Sequence, residues 1–197
     1  FWMIGYYGIV MFLPTITNGL SEQTGLSMQS LGWVIGAMYF FAMIVMYFVG
    51  IHSDKKNERR WHVAACLSIS AVAMVAATFV LETNVWLAFG LLTISLSGAF
   101  GAYSPFWAIP PSFLTGAAAG GAIALINSIG NLGGFFGPYI VGWIRDLTGN
   151  FHISMIFLGI SLIVSAIIVV TLVKVSGKSL VKGENASVEK NIANINM

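Results

Sequence analysis

Apolar residues run through this chain in long blocks separated by short polar breaks. They neither alternate along strands nor recur on a single helical face. Six blocks reach the length of about 20 residues that a helix needs to cross a bilayer. They cover residues 1–20, 28–51, 62–81, 85–107, 113–144 and 153–175. The expected fold class is therefore an all-α membrane protein with six transmembrane helices, its bundle filling residues 1–175. From 176 to 197 the pattern ends: the chain turns polar and lacks aromatic residues. That segment reads as a disordered tail.

Composition agrees with the pattern. Apolar residues make up 57% of the chain and charged residues 8%, against about a quarter charged in a soluble domain. So little charge cannot cover a water-facing surface, which makes the lipid bilayer the expected partner of most of the chain. A net charge of +2 is too small to point to nucleic acid. The chain opens at Phe1, inside an apolar block and with no basic residue before it. It reads as neither a signal peptide nor a natural start, and the expectation is of a piece of a larger protein.

The basic residues add an orientation. Lys55, Lys56, Arg59 and Arg60 follow the second block; Lys174, Lys178, Lys182 and Lys190 stand at or beyond the end of the sixth, and only Arg145 lies elsewhere. Six spans put both groups on one side, which the positive-inside rule makes cytoplasmic. Both ends of the chain are then cytoplasmic. No block carries Asp, Glu, Lys or Arg in its apolar interior. Such intramembrane charges usually mark proton relays or counter-ions, so these spans offer neither.

Two motifs stand out. The first is the loop Gly50-Ile51-His52-Ser53-Asp54-Lys55-Lys56-Asn57-Glu58-Arg59-Arg60. Its Gly50 lets a neighbouring backbone approach. Its Asp54 is placed to accept from amides at a nearby helix start, while Lys55, Arg59 and Arg60 stay in the cytosol. A plain positive-inside loop has the same look. The second motif runs from Ser104 through Pro110-Pro111 to Pro138 and is dense in glycine. The paired prolines are expected to break the helix. At 100° per residue, Asn127, Asn131, Gly134 and Pro138 share a sector, with Gly130, Gly133 and Gly137 on another. The first face is polar and suits a cavity wall, although asparagines can also only glue helices together. The glycines Gly130, Gly133, Gly134 and Gly137, at four-residue spacing, form a packing ridge.

Other chemistry is excluded. His52 and His62 flank the basic loop and His152 lies in the opposite link, all read as interfacial polar residues and none at metal-ligand spacing. Gly116, Gly120 and Gly121 lack a P-loop lysine. No nucleophile stands with a base. No enzyme activity, cofactor or metal is expected. Cys66 is alone and cannot form an internal disulfide.

Residues Phe106-Trp107-Ala108-Ile109-Pro110-Pro111-Ser112-Phe113-Leu114-Thr115-Gly116, with Ala124-Leu125-Ile126-Asn127-Ser128-Ile129-Gly130-Asn131 and Asp54 to Ala64, resemble the anion:cation symporter family of the major facilitator superfamily. The branch is that of tartrate, phthalate and hydroxyphenylacetate permeases, and Tyr7-Gly8 with Leu13-Pro14-Thr15 resembles it too. The likeness covers 1 to about 174 and implies the C-terminal six-helix half of a twelve-helix transporter, with the N-terminal half missing. It further implies a substrate cavity near the mid-plane, walled here by Trp107 and Asn127, with Tyr6, Tyr7 and Asn131 beside it. The arginines that hold the carboxylate and the acids that take the proton would belong to the other half.

The expected function is proton-coupled transport of a small organic anion across a bacterial inner membrane. The anion would be a carboxylate such as tartrate, a sugar acid or an aromatic acid. The alternative is a truncated remnant that transports nothing, or a structural membrane protein.

Overall fold

The structure is a computed structural model that describes residues 1–112 and 114–172, without the side chains of 20–23. The expected tail at 176–197 lies outside the described residues, as do positions 173–175 of the sixth block. Among the described residues the regular structure is all helical. The order is α1 (Trp2–Thr24), α2 (Met28–Lys56), α3 (Arg60–Val80), α4 (Val85–Gly101), α5 (Tyr103–Trp107), α6 (Gly116–Asn131), α7 (Gly133–Thr148) and α8 (His152–Leu172). A short 3-10 turn, Pro110–Ser112, follows α5.

Among the described residues five stretches are long and apolar enough to cross a membrane: Met28–Lys56, Arg60–Val80, Val85–Ser112, Gly116–Thr148 and His152–Leu172. The first expected span is a helix of 23 residues but is not among them. Its Tyr6-Tyr7 pair, Pro14, Thr15, Thr17 and Asn18 dilute its apolar character.

Several boundaries differ from the sequence reading. The polar link expected from Ser21 is helical through Thr24, and α2 runs five residues past Ile51 to Lys56. The chain leaves α2 at Asn57, whose left-handed φ of 47° lets its amide turn back onto the Asp54 and Ser53 carbonyls. The fourth block breaks at Ala102, ahead of the Pro110-Pro111 pair. Pro105 is the reason: it has no amide to give the Gly101 carbonyl, and its ring crowds the preceding turn. The fifth block starts at Gly116 rather than 113, breaks at Leu132, and continues to Thr148 rather than 144. There the Leu132 amide reaches back three residues to Ile129 at 3.2 Å, a tightened turn ahead of the Gly133-Gly134 pair.

Helix α3 is the hub, packed between α4 and α8. Its buried face reads Val63, Leu67, Ala71, Met74 and Ala77. Small residues let its neighbours close in: a Cβ placed on Gly98 of α4 would stand 2.6 Å from the Cys66 carbonyl oxygen. The Ser70 hydroxyl donates across that contact to the Ser95 carbonyl at 2.6 Å. Helix α1 packs chiefly on α7, and α2 on α4; α2 and α3 do not pack on each other to any extent. Pro14 leaves the Val10 carbonyl of α1 without its helical amide, and the Tyr39 hydroxyl of α2 donates to it at 3.4 Å. Outward faces stay apolar, with Trp33, Phe48, Phe79 and Trp143 all exposed, as lipid-facing surfaces require.

Candidate functional site: a cavity wall and a basic loop

Helix α7 is held to α1 by glycine. A Cβ on Gly133 would stand 2.7 Å from the Met3 Cβ, and one on Gly137 would stand 2.5 Å from the Ile4 carbonyl oxygen. Gly134 lies against the Tyr7 ring and Gly130 near Met3, at 3.3 and 3.4 Å on the same construction. All four glycines therefore face one partner, α1. The break at Leu132 resets the helical phase, which brings Gly134 onto the ridge rather than the polar face.

Helix α6 is different: none of its residues is buried. It stands off from α3 and α8, and a cavity of about 470 Å³ opens behind it. Trp107 and Asn127 both line this cavity, with Trp2, Phe106, Phe136 and Ser165 among the others. Among the described residues its lining carries no charged side chain. The Ser165 hydroxyl is engaged with the Ser161 carbonyl at 2.8 Å. The Asn127 amide makes no hydrogen bond to the described residues, so it is left to donate or accept in an otherwise apolar space.

Tyr6, Tyr7 and Asn131 do not line that cavity. Asn131, one turn on from Asn127, accepts a hydrogen bond from the Tyr7 hydroxyl at 3.2 Å on an exposed face. A run of edge-on rings joins the two places. Tyr7 meets Tyr6 at 5.3 Å between centroids, and Tyr6 meets Tyr103 at 5.1 Å. Tyr103 meets Trp2 at 4.7 Å, Trp2 meets Phe106 at 4.8 Å, and Phe106 meets Trp107 at 5.3 Å. Such pairs favour fixed orientations, so the wall is positioned by edge-to-face rings rather than by polar bonds. Chemically it can bind and orient; it has no group to break a bond.

The basic loop folds as a compact knot. At Gly50, a Cβ would stand 2.5 Å from the Ser104 Oγ, so this glycine admits α5. Asp54 pairs with Arg59, and Arg60 donates to the Val170 carbonyl of α8. Lys55, beside them, is exposed. The acceptor for helix-start amides is Glu58, not Asp54: it takes the Trp61 amide at 2.8 Å and the His62 amide at 3.2 Å. Asp54 still belongs to the last turn of α2, whereas Glu58 sits just before the first turn of α3. Burial would raise the Glu58 carboxyl, but the two amides and the His62 ring outweigh it and hold it below its ordinary 4.5.

The sequence reading missed the histidines. His62 Nδ1 lies 2.8 Å from the Glu58 carboxylate, and His62 Nε2 lies 2.7 Å from His52 Nδ1. The Glu58–His62 spacing of four residues was a readable signal; the reach of His52 across to α3 was not. His152, at the opposite end, stands 3.5 Å from Glu82.

Comparison with known proteins places this architecture. Residues 2–193 match the Major Facilitator Superfamily, and the chain belongs to it. Among curated proteins, one named "Putative tartrate transporter" from Agrobacterium vitis is 39% identical over 177 residues, which is 89% of this chain and 38% of that protein. A "Quinolone resistance transporter" from Acinetobacter baumannii is 32% identical over 165 residues, 84% of this chain and 37% of its own. A "Putative metabolite transport protein NicT" from Pseudomonas putida is 33% identical over 172 residues, 86% and 38%. The chain thus spans less than two fifths of these relatives' length. They are transporters rather than enzymes, and the likeness to the tartrate protein fits the anion:cation symporter branch. Family and apolar helices together make this a multi-pass membrane protein.

Proposed function

We propose that this chain is the C-terminal six-helix half of a twelve-helix secondary transporter that carries a small organic anion together with protons. In this reading residues 1–175 form the bundle and 176–197 a cytoplasmic tail. Both ends face the cytoplasm of a bacterial inner membrane. The missing partner is the N-terminal half, which supplies the charges that hold the anion and take the proton. The observation that carries the proposal is the cavity shared by Trp107 and Asn127, whose described lining is uncharged and holds one amide with no bond to the described residues. A wall of this kind orients a substrate but cannot neutralise it, so the substrate's charge must be met from outside these spans. Alternating access then rocks this bundle against its partner about the cavity. The relative named for tartrate supports a carboxylate as substrate; a sugar acid and an aromatic acid are the other members of the expected class.

The test is uptake of labelled tartrate, a sugar acid and an aromatic acid by cells expressing the full-length protein. Asn127→Ala removes one hydrogen bond to a charged ligand, worth about 1.5–3 kcal/mol. Uptake at low substrate should fall on the order of tenfold or more at unchanged protein level in the membrane. Undiminished uptake by that variant would remove Asn127 from the site. Failure to carry any of the three acids would remove the substrate class.

A further inference from the structure

We propose that Glu58, His62 and His52 form a proton-operated tie between the ends of α2 and α3. These two helices pack on α4 and scarcely on each other. At this end the Asp54–Arg59 pair and the Ser53 hydroxyl on the Glu58 carbonyl fasten α2 to the loop before α3, and the imidazole pair adds a side-to-side bond between the helices themselves, Nδ1 of His52 to Nε2 of His62 at 2.7 Å, with ring centroids 4.9 Å apart. The far nitrogen of His62 is held by the Glu58 carboxylate at 2.8 Å. His52 belongs to the last turns of α2, two residues after Gly50, where α2 meets Ser104. The tie therefore acts next to a close helix contact.

Hydrogen bookkeeping gives the switch. With His62 neutral, its Nδ1–H donates to Glu58 and its bare Nε2 accepts from His52 Nδ1–H. With one added proton on either ring, a donor and a lone pair still face each other and the bond survives. A second added proton, taken from the solvent that reaches exposed His52, puts a hydrogen on both facing nitrogens. Two N–H groups cannot share 2.7 Å, and two positive rings repel. The tie then opens.

On the loop and helix ends, Asp54 is paired with Arg59, Glu58 with His62, and Arg60 with the Val170 carbonyl; Lys55 and Lys56 are exposed. Of the elements packed on α2 and α3, α4 brings no titratable side chain, α5 brings Tyr103, and α1 brings Tyr6 and Tyr7 among its described side chains. Within α8 the one titratable side chain among the described residues is His152, at the far end. None of these supplies a carboxylate that would stabilise a doubly charged pair beyond Glu58.

The experiment places spin labels at Phe48→Cys on α2 and Ala65→Cys on α3, both exposed positions, with Cys66→Ala and replacement of every cysteine in the remainder of the full-length protein to clear the background. The full-length protein is reconstituted in lipid, and dipolar coupling is read at about pH 8 and about pH 5, the range in which histidine changes charge. Coupling should weaken at the lower pH, as the two helix ends part. His52→Gln keeps an amide that can face His62 in either protonation state, so its coupling should stay at the pH 8 value throughout. Unchanged coupling in the parent protein overturns the proposal. So does a His52→Gln variant that loses coupling at low pH as the parent does.

Discussion

Substituting Gly137 by alanine tests the packing of α7 on α1 most directly. The new Cβ would stand 2.5 Å from the Ile4 carbonyl oxygen and 3.3 Å from the Ile4 Cα and carbonyl carbon. Ordinary contact begins at 3.4 Å, so the two helices must part by 3.4 − 2.5, or 0.9 Å. The obstacle is backbone, which cannot swing aside as a side-chain tip can. Overpacking of this kind costs about 1–3 kcal/mol. The same substitution at Gly120 of α6 meets nothing within 4 Å. There alanine should gain helix propensity, up to about 1 kcal/mol. Equilibrium unfolding of the purified protein in mixed micelles, followed by circular dichroism, compares the two. Gly137→Ala should be less stable than the parent and Gly120→Ala equal to it or more stable. Equal stability of the two variants would refute the glycine ridge as the joint between α1 and α7.

Two further outcomes follow from the loop and the hub. Because Glu58 is held below its ordinary 4.5, its capping of α3 is fully present above that value and is lost as pH falls through the lowered one. Exchange protection of the Trp61 and His62 amides, corrected for intrinsic rate, should stay level from neutral pH to about 5 and drop only below 4.5. Cys66 is buried between α3 and α4; a thiol reagent should leave it unmodified in the folded protein and label it only once the bundle is unfolded.

Five of the six expected spans were legible because each is a long apolar block, and lipid leaves few alternatives to a helix, whereas the first block is diluted by its tyrosines, threonines and Asn18. What the block pattern could not locate were interruptions inside spans. Pro105 breaks its helix at Ala102, yet the more conspicuous pair is Pro110-Pro111. The break at Leu132 has no proline at all; it comes from the tightened turn before two glycines. The site was legible in part. Trp107 and Asn127 were singled out and line one cavity, whereas the bond between Tyr7 and Asn131 joins positions 124 apart, beyond any local spacing rule. Asp54 drew the capping role that belongs to Glu58, because the end of α2 was placed at Ile51 rather than Lys56. One turn of helix decided which carboxylate precedes α3.

The absence of buried residues from α6 bears on how such a protein can change over generations. A substitution in a packed helix must first survive its own cavity or clash, and most do not come free. On α6 that cost is small within this bundle, since none of its side chains is buried in a core. Variation there can reshape the wall around Asn127 while α7, locked by its glycines, keeps the bundle intact. One stretch of a single span is thus open to drift and the next is closed to it. That division lets the wall vary on a fixed frame.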